Sequence, residues 1–306
     1  MVVPRLLLGC VVLATAICST LASTEDPVLR DLLATYAAQR DGGDYATALK
    51  TILQAREHNP WDPALLALLG EAYGNVRDWG RAIWVLRDAI AFGDQRQSTR
   101  RNLALALARS GWELWEAEDS AGASIRFRES LGVFPNTAPA QGGMGRLLLD
   151  ERRLQEALPY LRAAVELEPN DPNYRGDLAL CLELLGQVDE ALAHLQAAVE
   201  AVPENSTNQN DLAWMLFGLG RSQEGLRHAQ TAVELEPTDP TLLHTLAAIQ
   251  LDLGEIEEAL LTIQDAARQK PAGPLVRATL GACLARVGRA EEARAELLRA
   301  EASTPR

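Results

Sequence analysis

Residues 172–205 read PNYRGDLALCLELLGQVDEALAHLQAAVEAVPEN, and their pattern sets the architecture expected for the whole chain. Apolar residues recur at three- and four-residue spacing, as in Leu178 and Leu182, which is typical of an amphipathic helix. Gly186 interrupts this pattern because glycine accepts the left-handed backbone of a turn, and Pro203 ends it because proline cannot continue a helix. The segment is therefore predicted to form two helices joined by a short turn.

The same markers recur along the chain every 34 residues, which is the spacing from Pro169 to Pro203. A fixed period of this length indicates a stack of similar helix pairs. The alanines among the markers are predicted to lie where two helix backbones approach too closely for a larger side chain. The four columns are Pro135, Pro169, Pro203, Pro237, Pro271 and Pro305; Gly186, Gly220, Gly254 and Gly288; Ala123, Ala157, Ala191, Ala259 and Ala293, with Gly225 in the gap; and Ala164, Ala198, Ala232, Ala266 and Ala300, preceded by Ser130.

The unit that starts at Pro63 shows the full order of large, small and aromatic positions: Leu66, Leu69, Gly70 and Tyr73, then Trp79, Ala82, Leu86 and Ala89. In length and in this order it resembles the tetratricopeptide repeat family. The resemblance covers nearly all of residues 23–306 and implies an all-α fold, a right-handed superhelical solenoid of about eight helix–turn–helix repeats. The repeats are expected at 29–62, 63–96, 104–137, 138–171, 172–205, 206–239, 240–273 and 274–306.

Seven extra residues, 97–103, separate the second and third repeats. Seven residues make about two helical turns, so the third repeat is predicted to begin with a long helix from about Thr99 to Glu116. Ser98 is a plausible N-cap for it. The insertion is interpreted either as a tolerated lengthening of one helix or as a local change in curvature that shapes the binding groove.

The first 22 residues have the layout of a secretory signal peptide. A short segment carrying Arg5 precedes the apolar stretch 6–17, and small residues lead to a cleavage point after Ala22. We expect an exported protein, periplasmic or secreted, with no membrane span after cleavage. The alternative is an uncleaved membrane anchor, although the apolar stretch is short against the roughly 20 residues that a span needs.

Composition bears on redox state and on partners. Cys181 and Cys283 lie three repeats apart, beyond bonding distance in a stack whose helices pack about 8–10 Å apart, so they are predicted to be two buried thiols without a disulfide between them. The net charge of −13 disfavours nucleic acid and anionic membrane surfaces as partners. Arginine dominates the basic residues and alanine is abundant, which favours a bacterial source.

No arrangement of residues typical of catalysis is found, so the chain is predicted not to be an enzyme, with no cofactor and no metal. The four histidines are expected to be structural or surface residues: His58, His194, His228 and His244. The segment 141–145, QGGMG, resembles a phosphate-binding loop, but the repeat pattern places it inside a helix with no preceding strand. Its glycines each cost a helix about 1 kcal/mol relative to alanine, which we interpret as allowing a partner to approach the backbone.

In the tetratricopeptide repeat family the first helices line a concave face, which implies a groove in repeats three to six. Its predicted partner-binding residues are Trp112, Trp115, Arg146, Leu180, Asn210, Trp214 and Phe217. The aromatic residues would supply apolar anchoring, Arg146 would meet a carboxylate, and Asn210 would hydrogen-bond a peptide backbone. The alternative is that the aromatic residues only pack between adjacent first helices.

The leading functional interpretation is an extracytoplasmic scaffold or adaptor that binds a peptide or protein segment, in a bacterial envelope or secretion assembly. A broad-specificity periplasmic chaperone-like binder is the alternative, because an apolar groove discriminates poorly between clients. A regulatory subunit of an enzyme is the third.

Overall fold

The computed structural model describes residues 26–268 and 272–302, which form two compact units divided between Leu167 and Glu168. All regular structure in these residues is helical. The predicted signal peptide and two prolines of the repeat pattern, Pro271 and Pro305, lie outside the described residues. No helix in the described part of the chain is long and apolar enough to cross a membrane.

Each unit consists of consecutive helix pairs, in which the first helix packs on the second. The first unit contains α1 (Pro27–Asp41), α2 (Tyr45–His58), α3 (Pro63–Asn75), α4 (Trp79–Ala91), α5 (Gln97–Glu116), α6 (Ser120–Val133), α7 (Ala138–Asp150) and α8 (Leu154–Leu167). The second contains α9 (Pro172–Leu184), α10 (Val188–Ala201), α11 (Ser206–Gly218), α12 (Ser222–Leu235), α13 (Pro240–Leu253), α14 (Ile256–Arg268), α15 (Pro274–Arg286) and α16 (Ala290–Ala302). The predicted all-α repeat fold is confirmed.

Four of the first helices begin with the same aspartate–proline pair. Asp62, for example, accepts hydrogen bonds from the backbone N–H groups of Ala64 and Leu65, while Pro63 takes the first helical position, where no N–H is needed. Asp26, Asp171 and Asp239 cap α1, α9 and α13 in the same way. These short sequence signals fix where a new repeat starts.

The turn between the two helices of a repeat uses a left-handed residue. Gly186, Gly220, Gly254 and Gly288 all have positive φ, as their column predicts. The same position one, two and three repeats before Gly186 is occupied by Arg152, Glu118 and Arg77, which also have positive φ. The turn geometry therefore persists where glycine is absent, because the packing of the two helices requires it.

The alanine columns lie in the core. Ala157, Ala191 and Ala259 are completely buried. A Cβ atom on Gly225, which interrupts this column, would lie 2.9 Å from the carbonyl oxygen of Ala213. Ser130 at the head of the second column is buried and donates a hydrogen bond to the Ala104 carbonyl oxygen at 2.7 Å. Small residues at these positions allow the helices of a repeat to approach closely, as predicted.

The insertion lengthens α5, as predicted, to 20 residues, Gln97–Glu116; the helix begins two residues before the predicted start at Thr99. The prediction that Ser98 caps this helix is wrong, because Ser98 lies within its first turn and the N-cap position is Arg96. The N-cap residue makes no side-chain capping hydrogen bond. The Asp94 carboxylate holds the start of the helix in another way: it accepts hydrogen bonds from the Arg96 backbone N–H at 2.9 Å and from Thr99 Oγ1 at 2.9 Å. Asp94 thus fixes the Arg96 backbone and the Thr99 side chain at the helix start, and Ser98 takes no part in these hydrogen bonds.

The glycine-rich segment is helical, as predicted, and forms the middle of α7. A Cβ on Gly143 would lie 2.3 Å from Phe127 Cζ, and one on Gly145 would lie 2.5 Å from Leu161 Cδ2. Phe127 and Leu161 belong to second helices α6 and α8. For Gly143 and Gly145, close helix packing therefore replaces the interpretation that a partner approaches the backbone.

Candidate partner-binding surfaces

The seven predicted site residues all lie on first helices. Trp112 and Trp115 are on α5 and Arg146 is on α7, in the first compact unit. Leu180 is on α9, and α11 carries the other three, Asn210, Trp214 and Phe217, in the second unit. One set thus lies on each unit, and the two sets differ in how their side chains are engaged.

In the first unit the two indole rings are held by the neighbouring first helix. Trp112 Nε1 donates a hydrogen bond to the Pro139 carbonyl oxygen at 2.9 Å, and Trp115 Nε1 donates to Asp150 Oδ2 at 3.1 Å. The two rings meet edge to face, with centroids 5.5 Å apart, and Trp112 also contacts Phe127 at 5.6 Å. These contacts bridge α5 to α6 and α7.

Arg146 belongs to the same cluster. Its guanidinium lies over the Trp115 ring, 5.4 Å from the centroid, and its Nε donates to Asp150 Oδ1 at 3.2 Å. Arg146 thus meets the carboxylate of Asp150 in the free chain, a contact that the sequence prediction did not include. The four-residue spacing of Arg146 and Asp150 on one helix is the signal that could have found it.

In the second unit Trp214 is open to solvent. Its side chain is 41% exposed. Its ring centroid lies 5.3 Å from that of Phe217 and 5.7 Å from the ring of His244 on α13. Within the described residues, no group accepts a hydrogen bond from the Trp214 indole N–H. The second unit therefore presents an aromatic surface with an unused donor.

His244 also belongs to this aromatic group, although it was not among the predicted site residues. Burial lowers the pKa of His244 below its ordinary value, so the ring is uncharged at neutral pH. It follows Asn210 by one repeat period and so has the same position in the next first helix, which is the signal that the sequence offered. A neutral imidazole beside Trp214 extends the aromatic surface without adding charge.

Asn210, which was predicted to hydrogen-bond a bound peptide, is buried in the free chain. Its Nδ2 donates to Asp211 Oδ1 at 3.4 Å, and its Oδ1 accepts no hydrogen bond from the described residues. A buried amide oxygen without a donor costs free energy, about 1–3 kcal/mol. A partner that supplied a donor to this oxygen after a small side-chain movement would recover that cost.

Leu180 extends the apolar character of the second unit to α9. It is 41% exposed, and Leu184 on the same helix is exposed to the same degree. Leu180 precedes Trp214 by one repeat period, so the two have the same position on first helices that contact each other. Burial raises the pKa of Glu183, which lies between the two leucines in the sequence, so this edge carries a carboxyl group whose charge is disfavoured.

The first unit also contains a largely buried arginine–glutamate pair that belongs to neither predicted set. Arg40 Nη1 on α1 lies 3.5 Å from Glu71 Oε1 on α3, and that nitrogen donates no hydrogen bond within the described residues. Burial raises the pKa of Glu71 to about 7, although Arg40 opposes the rise. The pair lies beside the buried ring of Tyr36, which Arg40 covers.

No group of three or more His, Cys, Asp or Glu side chains among the residues that the structure describes could hold a metal ion. Cys181 and Cys283 are buried thiols that form no disulfide with each other, as predicted. His228 lies 2.8 Å from Gln209 Oε1, a contact between the two helices of one repeat that makes His228 a structural residue.

Comparison with known proteins agrees with this architecture. One tetratricopeptide repeat model matches residues 186–303, and a second matches 108–172 and 142–206, so that together they span more than half of the chain. The chain belongs to the tetratricopeptide repeat family. The family and the fold make it a protein–protein interaction scaffold, built to bind proteins or peptides.

Solved structures of low sequence identity share the fold. PilF of Pseudomonas aeruginosa aligns with a TM-score of 0.57 at 15% identity, covering 65% of this chain and 91% of that one. A thermophilic TPR protein of Thermus thermophilus aligns with a TM-score of 0.50 at 21% identity, covering 60% and 99%. A tetratricopeptide repeat protein of Parabacteroides merdae ATCC 43184 aligns with a TM-score of 0.50 at 16% identity, covering 85% and 100%. No curated protein sequence matches the chain.

Proposed function

We propose that this protein is an exported adaptor that binds an extended or helical segment of another protein on the first helices of its second unit. The observation that carries the proposal is Trp214, which is exposed, in tilted ring contact with Phe217 and His244, and without an indole hydrogen bond to any of the described residues. Tryptophan at the centre of an apolar patch is the residue type that most often dominates binding energy.

The second unit supports this role better than the first. The indole N–H groups of Trp112 and Trp115 already donate to Pro139 and Asp150, and Arg146 already faces Asp150. A partner at that cluster would have to displace internal contacts. At Trp214 it would gain a new hydrogen bond and cover exposed apolar area on Leu180 and Leu184.

The binding proposal is tested by selecting displayed peptides on the purified protein and measuring the affinity of the selected peptides for variants. Trp214→Ala combined with Phe217→Ala should weaken binding by at least about tenfold, as expected for loss of a central aromatic anchor. Trp84→Ala is the matched control, because Trp84 is also exposed but lies on the second helix α4. Equal binding to all variants with unchanged circular dichroism would move the interface elsewhere.

Export is part of the proposal and rests on the signal-like layout of residues 1–22. In a bacterial host the mature protein should begin at Ser23 and fractionate with the periplasm or medium, which N-terminal sequencing measures. A chain that keeps Met1 in the membrane fraction would establish the uncleaved anchor instead. A role in an envelope or secretion assembly requires that the protein is exported.

A further inference from the structure

The seven-residue insertion creates a cavity that the proposed function does not use. The cavity has a volume of about 460 Å³ and lies in the first unit between the second helices α4 and α6 and the extended start of α5. It is lined by Arg87, Ile90, Ala91, Arg100, Leu103, Glu129, Gly132 and Val133. Two of these, Arg100 and Leu103, belong to the insertion itself. Its volume falls within the about 300–1,000 Å³ typical of small-molecule sites.

The floor of the cavity is apolar, and its side chains are packed into the hydrophobic core. Leu103 is buried and belongs to the hydrophobic cluster that joins α4 to α5, and Ile90 and Val133 pack against that cluster from α4 and α6. An apolar group entering the cavity would therefore contact aliphatic side chains that are already held in place, which lowers the entropy cost of binding.

The rim of the cavity is basic, in a protein whose net charge is −13. Within the described residues, no hydrogen bond or ion pair engages the Arg100 guanidinium. Its neighbours in the insertion region are occupied differently: Arg96 pairs with Asp94, and Arg101 lies over the Phe134 ring. Arg100 thus brings an uncompensated positive charge to the edge of an apolar cavity.

The single acidic residue of the lining is already neutralised. Glu129 forms ion pairs with Arg87 across the cavity and with Arg126, three residues earlier on α6, at 3.2 Å. Because Arg126 holds Glu129 as well, Arg87 can turn towards an incoming anion without leaving Glu129 unpaired. The lining then offers two guanidinium groups to one ligand. The net charge of the lining residues is positive.

We propose that this cavity binds an amphipathic carboxylate, with the carboxylate between Arg87 and Arg100 and an apolar body over Ile90, Leu103 and Val133. A planar guanidinium matches a carboxylate with two parallel hydrogen bonds. A single negative charge is favoured over a phosphate dianion, because Glu129 remains in the lining and repels added negative charge. Two sources share this chemistry: a free medium-chain fatty acid, and the C-terminal carboxylate of a peptide that ends in an apolar residue.

The test is titration calorimetry of the whole protein with three probes of one chain length, below their micelle concentrations: octanoate, octan-1-ol and octylammonium. Octanoate should bind at least about tenfold more tightly than either other probe. A peptide ending in Leu with a free carboxylate, compared with its C-terminal amide, distinguishes the peptide source from the fatty-acid source. Equal affinity for octanoate and octan-1-ol, tighter binding of octylammonium, or no binding of any carboxylate would overturn the proposal.

Two variants locate the binding within the cavity. Arg100→Gln removes an exposed charge and should weaken octanoate about tenfold, whereas Arg128→Gln, an equally exposed arginine of α6 outside the lining, should leave the affinity unchanged. Gly132→Phe should abolish binding by filling the cavity, because a Cβ on Gly132 meets no heavy atom within 4 Å. Octanoate binding that survives both Arg100→Gln and Gly132→Phe would place the ligand elsewhere and refute the assignment.

Discussion

At the scale of single residues, the glycines of α7 show how packing outweighs helix propensity. Glycine in a helix interior costs about 1 kcal/mol relative to alanine. Gly143 is retained because Phe127, which is completely buried, occupies the space where its Cβ would be. The same residue type at Gly132 has no such neighbour. Substitution by alanine is therefore expected to change the stability of the protein in opposite directions at the two glycines.

Gly143→Ala should destabilise the protein, by about 1–2 kcal/mol in the free energy of unfolding. The new methyl group gains helix propensity but lies 2.3 Å from Phe127 Cζ, and overpacking a filled core costs about 1–3 kcal/mol. Chemical denaturation measures the change. Gly132→Ala is the control and should stabilise by about 0.5–1 kcal/mol. Stabilisation by both substitutions would show that Phe127 moves aside freely.

At the scale of helices, the start of α5 depends on a side chain outside the helix. Asp94 is buried and its backbone N–H donates to the Ala89 carbonyl oxygen at the end of α4. Burial alone would raise the pKa of Asp94, but hydrogen bonds from Arg96 and Thr99 outweigh it and hold that pKa below its usual value. Asp94 thus links the end of α4, through its backbone N–H, to the first turn of α5, through its carboxylate.

Asp94→Ala should cost about 2 kcal/mol of unfolding free energy, because it removes charge-assisted hydrogen bonds and leaves the buried Thr99 hydroxyl without its acceptor. Ser98→Ala should change stability by less than about 0.5 kcal/mol, since Ser98 is not the cap. Thermal unfolding of the two variants beside the unchanged protein measures both. A larger loss in Ser98→Ala than in Asp94→Ala would restore Ser98 as the capping residue.

At the scale of the whole molecule, the pH dependence of stability should reflect the buried Glu71. Its pKa is about 7 in the folded protein against an ordinary value of 4.5, so the folded state holds a proton that the unfolded state has released between these values. The contribution of Glu71 to stability is therefore greatest below about pH 4.5 and falls as the pH rises to about 7.

Glu71→Gln should remove that part of the pH dependence. Relative to the unchanged protein, the variant should gain stability as the pH rises from about 5 to 8, by an amount on the order of 1–3 kcal/mol. Arg40 keeps its ion pair with Asp41 in the variant, at 2.7 Å. Denaturation curves at a series of pH values measure the difference. Parallel stability profiles for the two proteins would mean that Arg40 keeps Glu71 ionised throughout.

The repeat architecture could be read from the amino acids because its determinants are local and recur at a constant period. An aspartate–proline start, a glycine turn and an alanine at each close contact act within one helix pair, and repetition makes each signal visible several times. The long α5 followed from the same register, by counting seven extra residues against the period. The buried thiols of Cys181 and Cys283 followed from it too.

The arrangement of side chains between helices could not be read in this way. Trp112, Trp115 and Trp214 lie on equivalent faces by sequence, yet the first two donate to Pro139 and Asp150 while Trp214 stays open beside His244. The cavity beside Arg100 likewise depends on how separate helices meet. Backbone conformation and volume are set by neighbours along the chain, whereas these contacts join residues some 20 to 40 positions apart, whose relative placement exists only after the helices have packed.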